Sequence, residues 1–558
     1  GVLIVTPEAC WLPDEIESGR RLFGVAAQLY LLRSGRNWGI GDFADLDRLV
    51  AIAADRGADI VGLNPLHALF MDDPEAASPY SPASRLLLNP LSIAIDRLPP
   101  GPRLDAYRRS PEVRARIEAA RATAHVDYTA VVALKSEALR RAYADFRETA
   151  DEARRRALDD FVAAQGEGFR RGCLFLALRE SFAQDKPPRP DWRTWPEDYR
   201  GPDGVGVMRF MEDAPEAIDY QRYLQFVADE QLAAATADAR ARGMAVGLYR
   251  DLAVGADSTG AETWSGPEAV VRGVSVGAPP DIFMPIGQSW GLPPFHPRAL
   301  QEEAYASFVE LVRANMRHAG GLRIDHVMGL QHLWWVPDGM SPADGAYVEY
   351  PLDDLVGIIA LESHRNRCLV IGEDLGTVSD GFRERMADAG ILSYRVLFFE
   401  QDFNTGAFRP ASSYPAKAMA VCGSHDLPTL RGWWLGVDND LKERLGLFPG
   451  HDETAAQRAR RDRDRDTFVA LLRADGLLPA EGEVDEAAFV QAATAFLAET
   501  SSAIAMVQLD DITGEVQPVN VPTTHREYPN WRRKYRATLE EIGRDDAAWA
   551  CVRPLAGR

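Results

Sequence analysis

The chain has 558 residues, 46% hydrophobic and 26% charged, with 83 acidic against 62 basic side chains and a formal net charge of −21. This is ordinary globular composition, long enough for one large barrel with insertions. The negative charge argues against nucleic acid or an anionic membrane as a partner but not against a neutral ligand, and no apolar run reaches the roughly 18 residues of a membrane span.

The chain opens at Gly1 inside a strand-like run, Val2-Leu3-Ile4-Val5. Residues 1–20 are therefore expected to be the remnant or linker of a missing upstream domain. Residues 23–30 predict a first buried strand, and Asp42 reads as the N-cap of a helix carrying Leu46, Leu49, Val50 and Ala53 at helical spacing, closed by Gly57. Residues 59–63 predict a second strand, which makes a βαβ unit and implies a parallel sheet.

Residues 97–240 break the rhythm. They are rich in Ala, Arg and Glu at helical spacing and read as an inserted helical subdomain whose charge runs are solvated helix faces. The alternation resumes with apolar runs at 244–249, 321–324, 368–372, 393–399, 418–422 and 503–509. Eight parallel strands predict an α/β fold, a (β/α)8 (TIM) barrel with inserted, mainly helical subdomains. Its first part would be 21–96 and the rest 241–558, with insertions at about 252–320 and 435–500. The five cysteines are far apart, with no CxxC pair, and read as reduced thiols in a cytoplasmic protein.

Acids follow the strands: Asp251 after the third, Asp325 after the fourth, Glu373-Asp374 after the fifth, Asp426 after the seventh, Asp510-Asp511 after the eighth. A barrel gathers these positions on the rim where barrel enzymes carry their sites. Arg323 and Asp325 are two residues apart and share a strand face, so the arginine favours the ionised acid. Several carboxylates without an evident Ser or Cys nucleophile suit glycoside chemistry or metal-assisted hydrolysis. The cation beside Asp325 and the lack of a histidine pair at ligand spacing favour the first, as do the many tryptophans, which suit the apolar faces of sugar rings. No metal and no cofactor are expected.

The motifs Arg323-Ile324-Asp325-His326, Gly372-Glu373-Asp374-Leu375-Gly376 and Ser424-His425-Asp426 resemble those of the α-amylase superfamily. Ser78-Pro79-Tyr80, Gly277-Ala278-Pro279-Pro280-Asp281, Gly287-Gln288-Ser289-Trp290-Gly291-Leu292-Pro293-Pro294, the run from His425 to Trp433, and the tail from Val519 to Lys534 are similar to glycoside hydrolase family 77, the 4-α-glucanotransferases or amylomaltases. The resemblance runs from about residue 22 to 535, and Leu3-Ile4-Val5-Thr6-Pro7 is similar to the junction after an extra N-terminal β-domain in longer bacterial members, which implies that the upstream domain is a β-domain.

The resemblance implies a retaining 4-α-glucanotransferase. It would act on α-1,4-glucan donors, with glucose or maltooligosaccharides as acceptors. Asp325 would be the nucleophile, Glu373 the general acid and then base, and Asp426 the third catalytic carboxylate. Arg323, His425, Asp251, Tyr80, Asp281, Gln288, Trp290 and Asn520 would bind substrate. A retaining pair needs carboxyl groups about 5–5.5 Å apart, one ionised and one protonated, so Glu373 needs a raised pKa. The family usually reads Gly-Gln-Asn-Trp where this chain has Ser289. An α-1,4-glucan hydrolase and an inactive glucan-binding protein are the alternative functions. Bland readings apply to Asp374 as a cap, Glu400 as a structural acid, His326 as a packed histidine, and Trp433 and Trp434 as packing.

Overall fold

A computed structural model describes residues 3–266, 269–280, 286–402, 404–448 and 450–558. Its centre is a closed barrel of eight strands: β1 (Leu22–Ala27), β2 (Ile60–Leu63), β3 (Gly247–Leu252), β4 (Gly321–Ile324), β5 (Leu369–Gly372), β6 (Ile391–Val396), β7 (Ala418–Val421) and β8 (Ile504–Gln508). Each strand pairs in parallel with its neighbours in chain order, and β8 closes on β1. The (β/α)8 architecture expected from the apolar runs is therefore present.

Side chains fill the barrel interior. Ile60, Tyr249, Leu369, Ile371, Leu392, Tyr394, Met419, Ile504 and Met506 form one buried cluster. The glycine at 62 makes room for it, since a Cβ there would meet the Tyr249 ring at 2.7 Å and the Met506 methyl at 2.8 Å. β4 and β5 are buried along their whole length, as strands covered on both faces must be.

The helix joining β1 to β2, Phe43–Asp55, begins as its sequence predicts. Asp42 accepts the Ala44 and Asp45 N–H groups, and Asp45 accepts the Asp42 N–H in return. Such a cap contributes about 1 kcal/mol. Helices at Pro102–Arg109, Pro111–Ala122, Tyr128–Thr149, Glu152–Ala163, Glu167–Ala183 and Val205–Asp213 follow β2. The long helix Pro215–Ala241 packs on Phe43–Asp55 and leads into β3. Between β3 and β5 the loops contribute a four-stranded sheet, ordered Ala346–Glu349, His332–Pro337, Val274–Ala278, Gln288–Leu292. Among the described residues the helices Leu430–Leu435, Val437–Arg444, His451–Ala474 and Glu486–Glu499 lie between β7 and β8.

Four strand ends differ from expectation. β1 stops at Ala27, and Leu29–Leu31 form a 3-10 turn. β3 begins at Gly247, in the left-handed region at φ +77°, so Arg250 and Asp251 lie inside the strand. β6 stops at Val396, and Leu397–Phe399 form a 3-10 turn. The acids after β8 open a short helix, Leu509–Thr513, and point into the protein: Asp510 pairs with Arg533 and Tyr535, and Asp511 accepts the Leu430 N–H at 2.7 Å. Among the described residues no helix is long and apolar enough to cross a membrane.

Candidate active site

The register of three neighbouring strands sets the site. Asp251 pairs with Arg323 across β3–β4, and Ile324 pairs with Gly372 across β4–β5. The ladder continues one residue further: Asp325 N–H donates to Leu252 O at 3.0 Å and Glu373 N–H to Ile324 O at 3.0 Å. Asp325 and Glu373 thus occupy adjacent, equally high positions on strands that neighbour each other at about 4.8 Å.

Arg323 organises the carboxylates. Its Nη1 lies 2.9 Å from Asp325 Oδ1 and donates to both oxygens of Asp251 at 2.8 and 3.0 Å, while Nη2 stays 4.0 Å from Glu373 Oε2. Tyr394, which the sequence did not single out, lies under this guanidinium, 5.3 Å from ring centre to Cζ. Charge-assisted contacts of this kind are the strong ones in a dry site.

Glu373 is 8% exposed. Its Oε2 accepts the His326 N–H at 2.9 Å and its Oε1 the Leu375 N–H at 2.8 Å. Burial pushes its pKa up to about 7. Arg323 opposes the shift, the Asp325 charge adds to it, and the two N–H groups temper it. His326 reaches Glu373 because it takes a left-handed conformation, φ +48°, immediately after Asp325. That backbone role was invisible in the sequence, where His326 read as a packed side chain.

A second arm crosses the barrel mouth. Tyr80 O–H donates to Asp251 Oδ2 at 2.6 Å and lies 3.1 Å from His425 Nδ1, with the two rings stacked at 4.4 Å. His425 Nε2 lies 3.3 Å from Asp426 Oδ2, and Asn520 Nδ2 donates to Asp426 Oδ1 at 2.6 Å. Burial would depress His425, but the Asp426 carboxylate outweighs it and the imidazole pKa is raised. Burial likewise raises Asp426, yet His425 and Asn520 hold it down at about 2. The Asp426 side chain is 47% exposed and faces the cleft.

The four-stranded sheet supplies the opposite wall. Trp290 meets the His326 ring edge-to-face at 5.3 Å and donates to Gln288 at 3.0 Å. Ser289 is exposed and, by strand alternation, points to the other side of the sheet from Gln288 and Trp290. Asp281 lies outside the described residues.

Several rim residues are structural. Asp374, expected to cap the following segment, instead accepts Arg383 and Ser393 at 2.8 and 2.6 Å and the Tyr394 N–H at 3.0 Å, tying β5 to β6. Glu400 is buried beside Arg395. Trp433 stacks on Phe398 and Phe489, and Trp434 on Phe489. Among the described residues no group of three or more His, Cys, Asp or Glu is arranged to hold a metal ion.

Known proteins resemble this chain in sequence and fold. The sequence pattern of glycoside hydrolase family 77, described as 4-alpha-glucanotransferase, matches residues 27–539. The 4-alpha-glucanotransferase of Haemophilus influenzae is 37% identical over 561 aligned residues, covering 98% of this chain and 80% of that protein. That of Mycobacterium tuberculosis is 38% identical over 553, covering 95% and 73%. Among solved structures, amylomaltase from Corynebacterium glutamicum superposes with a TM-score of 0.86 at 31% identity, covering 100% of this chain and 77% of that one. Amylomaltase from Streptococcus agalactiae, solved in complex with acarbose, shares the fold at a TM-score of 0.75 and 19% identity, covering 97% and 100%.

Proposed function

The chain belongs to the 4-alpha-glucanotransferases of glycoside hydrolase family 77 and is a transferase of α-1,4-glucans, and from that premise we propose how its own residues divide the work. Glu373 gives its proton to the glycosidic oxygen as Asp325 attacks the anomeric carbon from the opposite face. The C–O bond of the leaving sugar breaks, and a β-glycosyl ester to Asp325 forms. Glu373, now ionised, takes the proton of an acceptor 4-hydroxyl, which displaces Asp325 and restores the α-linkage. Two inversions give net retention.

The observation that carries this reading is the unequal treatment of two register-matched carboxyl groups. Asp325 is ion-paired at 2.9 Å, while Glu373 is buried, 4.0 Å from the same guanidinium, and pushed up to about 7. An acid kept protonated by burial beside an ion-paired carboxylate is what the two roles require. Asp426 and His425 hold the hydroxyls of the reacting sugar and favour its distortion, with Asn520 fixing Asp426. Tyr80 and Asp251 complete that subsite. Gln288 and Trp290, with Asp281, shape the neighbouring ones.

The preferred donors in this reading are maltooligosaccharides, with glucose or another maltooligosaccharide as acceptor. We also read 97–240 as an insertion whose last helix is shared with the barrel, and the compartment as cytoplasmic, which suits five buried free thiols. Incubation with maltotriose tests the activity. Longer oligosaccharides appearing together with glucose support transfer, whereas shorter sugars alone, with a matching rise in reducing ends, would mean hydrolysis.

A further inference from the structure

The C-terminal segment contributes more to the site than Asn520. Trp531 is 8% exposed, and its ring centre lies 5.6 Å from that of Tyr80 and 5.5 Å from that of His425, closing the back of the stacked pair. Its backbone sits at φ +64°, a conformation bulky side chains rarely adopt. Three hydrogen bonds hold it there or fix the residue before it. Trp531 N–H donates to Val519 O at 3.1 Å, Tyr128 O–H donates to Trp531 O at 2.9 Å, and Val521 N–H donates to Asn530 Oδ1 at 2.9 Å. The first and last of these bracket Asn520, the donor to Asp426. Strain of this kind persists where surrounding structure over-determines it, and it concentrates at functional sites.

Proton bookkeeping shows what the ring stands against. Tyr80 has one hydroxyl proton, and at 2.6 Å that proton goes to Asp251. His425 Nδ1, 3.1 Å from the same oxygen, must then donate to it. Nε2 lies 3.3 Å from the Asp426 carboxylate, a contact that becomes an ion pair once the ring is protonated. With protons on both ring nitrogens the imidazole is a cation, the state that the neighbouring Asp426 carboxylate favours. An aromatic ring packed against a desolvated cation stabilises it, and the Trp531 ring, tilted at 47° to the imidazole, is that neighbour. The other charged or titratable groups facing His425 are Tyr80, Asp426, Arg323 and Asp251.

Building on the catalytic reading above, we propose that Trp531 is a positioning residue. It clamps His425 as an imidazolium between Tyr80 and Asp426, and its backbone aligns Asn520 on Asp426, so that both hydroxyl-binding groups are preset for the reacting sugar. The chain Arg323–Asp251–Tyr80–His425–Asp426–Asn520 is a single proton-ordered network, and Trp531 is its brace.

The test pairs kinetics with a direct titration of His425. Histidine-labelled protein is titrated by NMR, the His425 signal being assigned by its loss in His425→Gln. In Trp531→Leu the His425 midpoint falls by about a pH unit, and kcat with maltotriose falls about ten- to a hundredfold with KM changed less than about threefold. Trp531→Phe restores most of both. Tyr128→Phe, which removes only the hydroxyl holding Trp531 O, moves both in the same direction by less and serves if the leucine variant does not fold. A His425 midpoint unmoved in Trp531→Leu, or in Tyr128→Phe where that variant stands in, overturns the clamp even if activity drops. A wrong assignment of nucleophile or acid would leave the titration result intact, because that readout involves no turnover.

Discussion

Glu373 and Asp325 stand one strand apart at the same height, and the chain joins them: the N–H of the residue after Asp325 is a hydrogen-bond donor to the Glu373 carboxyl, at 2.9 Å. Any movement of the β4 end therefore moves both reacting groups together. The left-handed turn at His326 makes that coupling possible.

Replacing Asp325 with Asn removes the attacking carboxylate while keeping its shape, and Arg323 retains Asp251 as a partner. Turnover of maltotriose is expected to fall by about 10⁴-fold or more, with a melting temperature close to that of the parent. Full activity would remove Asp325 from the mechanism.

Glu373 must be protonated to act as acid, and its pKa, pushed up to about 7, lies above the ordinary carboxyl value. The acid form is therefore complete below that value and lost above it, so kcat/KM falls about tenfold per pH unit on the alkaline side. Glu373→Gln abolishes that limb. It spares aryl maltosides with good leaving groups more than maltotriose, because those need no proton.

Tyr80→Phe keeps the ring stack on His425 but deletes the hydroxyl joining Asp251 to His425. Asp251 keeps Arg323, whereas His425 Nδ1 loses its acceptor. The expected result is a loss in kcat of about tenfold or more, with the fold unchanged by circular dichroism. An unchanged kcat would mean that the hydroxyl link is idle.

Asp511 offers a stability test away from the cleft. It is 5% exposed, with the Leu430 N–H as donor to one oxygen, and burial raises its pKa to about 7. Folded protein thus binds this proton more tightly than unfolded protein. The group's stability contribution is complete below the unfolded value near 4 and is lost as pH rises to about 7. Asp511→Asn removes that slope. Its melting temperature should exceed the parent's at pH 8, by an amount corresponding to a few kcal/mol at most, with the gain shrinking at pH 5.

The barrel was legible because its strands are short apolar runs, each followed by polar residues, and buried parallel strands need nothing subtler. The three catalytic candidates were legible because an acid follows an apolar run at each. What misled was the apolar run at 244–246. It belongs to the turn before β3, where Gly243 and Gly247 take left-handed conformations, and the strand then continues through Arg250 and Asp251. Charged residues inside a fully buried strand contradict the hydrophobic pattern, and only their partners explain them: Asp251 has Arg323, and Arg250 has the carbonyls of Ala314 and Arg317. Asp510 and Asp511 looked like rim acids because their inward partners, Arg533 and Leu430, lie 23 and 81 residues away. The sheet joining 274–278 to 332–337, and the approach of Trp531 to Tyr80, are likewise long-range pairings that leave no local periodicity.

Activity should also survive chelation. Dialysis against EDTA is expected to leave the maltotriose rate unchanged, whereas a loss restored by a divalent ion would require a metal in the mechanism.

The central claim is a covalent bond between sugar and Asp325. A 5-fluoro-α-glycosyl fluoride forms a glycosyl-enzyme faster than the ester breaks down, so the intermediate accumulates and can be digested and mapped by mass spectrometry. The account predicts one added glycosyl group, on the peptide containing Asp325 and on that residue. A label on Glu373, Asp426 or any other side chain would contradict it.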